Sequence, residues 1–151
     1  MARFSGSYEE TFTVDVPIEK AKAHFGDLDM IVSCYPSVQR SEKLDDKTLR
    51  LELVPQSAMG VTFAGKYDVK YEFTSENVLI WKTVGSGANI FADGRAEFSS
   101  LGESKTRIVY RDKMDCEIPI NRLLGKAIAP IVNRDVSNGV KEYLNAIRSK
   151  L

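Results

Sequence analysis

Residues 63–73 read FAGKYDVKYEF, and the alternation within them decides the fold. Phe63, Gly65, Tyr67, Val69, Tyr71 and Phe73 fall on one side of an extended chain, and Lys66, Asp68, Lys70 and Glu72 on the other. Successive side chains of a strand point to opposite faces, so this is a strand with one face in a core and one in water. Its inward row is dominated by aromatic rings. The chain then ends in one helical pattern long enough to lie across a sheet, and a curved sheet gripping one long helix makes a cup.

Working outward, a first strand is expected over residues 4–16, with Phe4, Tyr8, Phe12 and Val14 on one face. Pro17 follows where a helix start tolerates proline, and Ile18, Ala21, Phe25 and Leu28 continue at helical spacing. A second short helix over 27–33 ends before Cys34, Tyr35 and Pro36. Six further strands are predicted over 38–43, 48–54, 61–74, 78–84, 88–101 and 105–118, forming a meander with turn-forming residues between them. Asn121 is a good N-cap for the last helix, expected to reach Ser149, with Leu124, Ile128, Ile131, Val136, Val140, Tyr143, Leu144 and Ile147 on its apolar face. Pro130 lies inside that pattern and is expected to bend it.

Composition narrows the function. Lys plus Arg and Asp plus Glu both number 21 in 151 residues, and the charges are scattered. No basic stripe exists to neutralise phosphates, so no nucleic-acid partner is expected. Apolar runs fall short of the roughly 20 residues a membrane span needs, and no leader precedes Phe4, so a soluble cytoplasmic protein without a transmembrane segment is expected. A single histidine and two cysteines give no metal-ligand cluster, and no metal or other cofactor is expected. Cys34 and Cys116 read as reduced, buried thiols. The length suits one domain covering residues 1–151.

Four stretches carry a resemblance: Val16-Pro17 opening the first helix; Cys34, Tyr35, Pro36, Ser37 and Val38 after the second; Gly60, Val61, Thr62, Phe63, Ala64 and Gly65; and Gly87-Ala88 through Gly94, Arg95 and Ala96. With the element order, they make the chain similar to the START-like (SRPBCC) superfamily, the polyketide cyclase and Bet v 1-like group. Within it the chain most resembles the CoxG-like branch, named for carbon monoxide dehydrogenase. The resemblance implies an α+β helix-grip fold, a seven-stranded curved antiparallel sheet wrapped around the C-terminal helix with two short helices between strands 1 and 2. Its motifs are fold signatures, not catalytic ones. Two departures stand out: Ser37 occupies a position where that branch usually has glycine, and the sequence ends at Leu151 without the apolar tail those proteins often carry, which weighs against membrane anchoring. The superfamily spans lipid carriers, hormone receptors, cyclases and chaperone assistants, so the fold leaves function to the cup itself.

If every strand keeps its alternation, the cup receives Tyr8, Phe12, Leu53, Phe63, Tyr67, Tyr71, Trp81, Phe98, Tyr110 and Met114 from the sheet and Leu124, Ile128 and Ile131 from the helix. These side chains either fill an ordinary core or line a pocket of roughly 300–1,000 Å³. Tyrosines inside need partners for their hydroxyls, which favours the pocket. Glu10 and Asp112 break the rule that charges point outward. They either lie together at the polar end of the pocket, sharing a proton, or are relieved by a bulge or by a helix arginine such as Arg122 or Arg134. His24, one turn from Ala21 and Leu28, reads as a surface residue or one near the mouth. Residues 59–63 read as a lid, a docking edge or a plain hairpin.

The expected function is a binding or carrier protein for an apolar small molecule: a lipid, isoprenoid or quinone-like compound. One alternative is a cyclase or dehydratase in which Glu10, Asp112 and Tyr110 act as acid and base. Another is an accessory factor whose partner is a larger enzyme.

Overall fold

The computed structural model describes residues 2–151. Nine strands and three helices follow in order: β1 (Ala2–Val14), α1 (Ile18–Phe25), α2 (Leu28–Cys34), β2 (Val38–Lys43), β3 (Thr48–Leu53), β4 (Gln56–Ala58), β5 (Val61–Phe63), β6 (Lys66–Ser75), β7 (Val78–Val84), β8 (Ile90–Gly102), β9 (Lys105–Ile118) and α3 (Arg122–Ser149). Seven strands form one antiparallel sheet in the order β1-β9-β8-β7-β6-β3-β2. The chain meanders from β2 to β9, and β1 returns to close on β9. This is the helix-grip arrangement, with α3 across the inner face.

The expected strand over 61–74 is two strands. Residues 56–63 form a separate hairpin, β4 with β5, and the main sheet resumes only at Lys66. Asn89 stabilises the break: its amide donates to the Ala64 carbonyl at 2.9 Å and its side-chain oxygen accepts from the Lys66 amide at 2.8 Å. The hairpin turns through Met59 and Gly60, both at positive φ (53° and 79°), which matches the twist of the strands on either side.

Packing follows the alternation. On the inner face Leu49, Leu51, Val69, Ala96 and Ile108 are fully buried, and α3 covers them with Val140, Tyr143, Leu144 and Ile147. Helix and sheet meet most closely where Gly6 faces Val136. A Cβ on residue 6 would stand 2.5 Å from the Val136 Cβ, so a side chain there would push α3 off β1. Asn121 caps α3, its side-chain oxygen accepting from the Leu124 amide at 2.9 Å. The helix continues through Pro130, which is exposed, so water can satisfy the carbonyl that proline leaves without a partner.

Phe12, Phe25, Phe73 and Phe98 pack as a run of rings, with centroids 6.0–6.3 Å apart. They fill the end of the cup beneath α1. His24 lies behind this plug, its Nε2–H donating to the Ile147 carbonyl at 2.7 Å. Both cysteines are free and buried.

Candidate functional site

At the other end the cup is open. A cavity of about 170 Å³ lies between the sheet, α3 and the β4–β5 hairpin, with the exposed Val54, Gln56, Ser57 and Asp135 at its rim. This is smaller than the pocket expected from the sequence, because the rings of Tyr67, Tyr71, Trp81, Tyr110 and Tyr143 take up much of the space. An engineered cavity of about 150 Å³ accepts benzene, so the enclosed part suits a single ring or a short branched chain.

The deepest feature is a row of direct register partners across five strands: Tyr71 on β6, Trp81 on β7, Gly94 on β8, Asp112 on β9 and Tyr8 on β1. Gly94 shapes this row. A Cβ there would lie 1.9 Å from the Trp81 ring, so only glycine lets the indole lie flat over β8. The indole thereby crosses a strand, and its Nε1–H donates to Asp112 Oδ1 at 3.2 Å. Tyr71 and Tyr110 flank it, with ring centroids 5.7 and 5.0 Å from the Trp81 ring.

Asp112 is 8% exposed and has no cationic partner among the described residues. Burial pushes its carboxyl up to about 7, against the opposing pull of the Trp81 hydrogen bond. Burial likewise raises the hydroxyls of Tyr67, Tyr71, Tyr110 and Tyr143 well above the ordinary tyrosine value, so they remain protonated donors. Tyr35 and Tyr67 hydrogen-bond each other at 3.1 Å.

The expected carboxylate pair does not form. Glu10 stands opposite Tyr110 and Asp112 opposite Tyr8, and the two side chains go separate ways. Glu10 is held by Arg148 Nη1 at 2.8 Å and by the Tyr8 hydroxyl at 2.7 Å. Burial works to raise its carboxyl, but the hydrogen bonds from Tyr8 and Arg148 and the arginine's charge win, so it sits below the usual range. The arginine comes from the last turn of α3, not from Arg122 or Arg134. It also lies over the Phe12 ring, 4.3 Å from its centroid.

Of the side chains assigned to the cup from sequence, Leu53, Phe63, Tyr67, Tyr71, Trp81, Tyr110, Asp112, Met114, Ile128 and Ile131 line the cavity. The other five do not. Tyr8 and Glu10 belong to the Arg148 cluster, Phe12 and Phe98 to the ring plug, and Leu124 is half-buried near the start of α3. His24 is not at the mouth. Sequence reasoning misses Tyr35 and Tyr143, whose rings pack with centroids 5.8 Å apart on the helical side of the cavity. Tyr143 is legible as part of the apolar face of α3, and Tyr35 carries only the turn signal of the proline after it.

A family model described as the G component of carbon monoxide dehydrogenase (CoxG) matches residues 11–151. The chain belongs to the CoxG family. No curated protein matches it. Among solved structures, this CoxG family member is similar to a START superfamily protein from Mycobacterium smegmatis, with TM-score 0.69, 14% identity and 95% of each chain covered. It is also similar to an aromatase/cyclase from Streptomyces sp. R1128, with TM-score 0.69, 14% identity, and 97% of this chain and 93% of that one covered. A truncated norcoclaurine synthase from Thalictrum flavum matches with TM-score 0.62 at 11% identity over 98% and 94% of the two chains. At such identities the likeness is one of fold. Among the described residues no helix is long and apolar enough to cross a membrane.

Proposed function

We propose that this protein is a binding or carrier module for an apolar small molecule, a lipid, isoprenoid or quinone-like compound, taken between the sheet and α3. The observation that carries this reading is the open cavity: aromatic and aliphatic from floor to rim, with its mouth between α3 and a hairpin that stands apart from the main sheet. An ordinary core would be closed at both ends, whereas here only the phenylalanine end is filled. The hairpin attaches through a short break at Ala64 and Gly65, so it can move without disturbing the main ladder.

The test is to denature freshly purified protein in organic solvent and analyse the extract by mass spectrometry, then to titrate stripped protein with lipids and isoprenoids while following the fluorescence of Trp81, the single tryptophan. A stoichiometric apolar compound, or saturable binding with a change in Trp81 emission, supports the reading. An empty extract and a silent panel overturn it.

One observation favours a second reading. Asp112 and Tyr110 both face the cavity, and a carboxyl that titrates near neutrality can give and take protons there. A cyclase or dehydratase built on these two residues would act without Glu10, which the Arg148 cluster holds outside. Turnover of a reactive polyketide-like substrate that Asp112→Asn abolishes and Glu10→Gln preserves would establish it.

A further inference from the structure

The cavity lining has an asymmetry that an apolar ligand alone does not explain. The chain has 21 lysines and arginines, yet among the described residues none lines the cavity, and neither does the single histidine. The two charged residues that do are both acidic. Asp135 is exposed at the rim and lies 3.6 Å from Arg134 on the outer side. Asp112 is inside and has no such relief. Its strand neighbours Arg111 and Lys113 point to the opposite, exposed face, and its hydrogen bond comes from a neutral indole.

Around this carboxylate stand the rings of Tyr71, Trp81, Tyr110 and Tyr143, in contact one after another at centroid separations of 5.7, 5.0 and 6.5 Å. A buried carboxylate is costly without a positive partner, and aromatic faces attract cations. Both features call for the same group.

We propose that the ligand is a lipophilic amine: a protonated primary or secondary amine at Asp112, boxed by the Trp81, Tyr71 and Tyr110 rings, with its apolar body directed to the mouth. This rests on the carrier reading and adds the ligand's charge and orientation. The enclosed volume of about 170 Å³ admits the ammonium group and one ring or a few methylenes. Longer apolar parts leave between Val54, Val61 and Phe63 on one side and Ile128, Ile131 and Val132 on the other.

The groups facing Asp112 leave the pH dependence to Asp112 itself. From α2, β6, β9 and α3 these are the Tyr35, Tyr67, Tyr71, Tyr110 and Tyr143 hydroxyls and the Cys116 thiol, which burial raises to about 11. All keep their protons below pH 8. From β8, Asp93 adds a negative charge outside the cavity, which works against ionisation of Asp112. An ammonium therefore binds more tightly as the pH rises through 7, while an uncharged analogue does not.

The experiment titrates stripped protein with matched probes, 2-phenylethylamine against 2-phenylethanol and octylamine against octanol, following Trp81 fluorescence with calorimetric confirmation. At pH 8 each amine is expected to bind about tenfold or more tightly than its alcohol. The preference is expected to shrink toward pH 5 and to vanish in Asp112→Asn, which keeps the shape of the side chain. Equal binding of amine and alcohol by the native protein at pH 8 overturns the proposal and leaves the carrier reading standing; this arm does not depend on the variant's folding. An amine preference that survives in Asp112→Asn with an unchanged circular dichroism spectrum also overturns it. No binding by any probe removes both readings.

Discussion

Asp112 makes stability fall as pH rises, opposite to the usual behaviour of a paired carboxylate. Its ordinary value is 3.8, and burial among the rings pushes it up to about 7. Between those values the unfolded chain has released a proton that the folded protein still holds. Deprotonation therefore favours unfolding through this window, and beyond pH 7 the loss is complete. A raised value of this size corresponds to about 4 kcal/mol, of which about 2.5 kcal/mol is lost between pH 5 and pH 8. Glu10 works in the other direction: its carboxyl is held low, so its contribution disappears only as pH falls through the acid range and does not overlap this window. The assay is urea unfolding of ligand-free protein at pH 5, 6, 7 and 8, read by Trp81 fluorescence, with Asp112→Asn alongside. The variant keeps every other titrating group, so the difference between the two curves isolates Asp112. The native protein should lose about 2.5 kcal/mol relative to the variant across that range, and the variant should be the more stable of the two at pH 8. Parallel curves would show that Asp112 is ionised or hydrated in the folded protein, and the account of the site would be wrong.

Three further outcomes follow from the same geometry. Gly94→Ala places a methyl group 1.9 Å from the Trp81 ring, so the indole must leave its seat and release Asp112; overpacking of this kind costs about 1–3 kcal/mol and should lower the melting temperature by about 2–12 °C with a shift in Trp81 emission, which differential scanning fluorimetry would show. Arg148→Met keeps much of the contact with Phe12 but leaves Glu10 without its cation; for this partly exposed pair the expected loss is about 1 kcal/mol at pH 7, disappearing in acid where Glu10 is neutral, as chemical denaturation at pH 7 and pH 3.5 would reveal. Gly60→Val forces a β-branched residue into a φ of 79° at the hairpin turn, costing about 1–2 kcal/mol locally; amide exchange should accelerate in residues 56–63 while the seven-stranded sheet keeps its protection.

Much of the fold was legible because burial has a period. The inward rows of β3, β7, β8 and β9 are the rows that alternation assigned, with Leu49, Leu51, Leu79, Trp81, Ala96, Phe98, Ile108 and Tyr110 all buried. Where the reading failed, the cause was a long-range partner. The strand over 61–74 alternates without a fault, but alternation records only which way side chains point, and it is Asn89, over twenty residues away, that holds the break at Ala64 and Lys66. The cavity was overestimated for a related reason. Counting inward rings locates a pocket without saying how far they fill it, and Trp81 spans a strand only because residue 94 has no side chain.

Glu10 and Asp112 show most clearly what one chain's pattern leaves open. In the sequence they are the same exception, an acid on an inward row near the middle of a long strand. The sheet order separates them. β1 is an edge strand, and beyond it lies only α3, whose last turn brings Arg148 within 2.8 Å of Glu10 while its guanidinium stays a quarter exposed. β9 has a strand on each side, so no long cationic side chain reaches Asp112 from beyond the sheet, and the helix above it presents Val140 and Tyr143. The same carboxyl group is thus neutralised by the protein at the edge and left uncompensated in the interior. A fold that satisfies one inward acid with a helix arginine can satisfy a second in the same way, yet at Asp112 it supplies an indole, three phenols and space. That difference marks Asp112, rather than Glu10, as the residue whose partner comes from outside the chain.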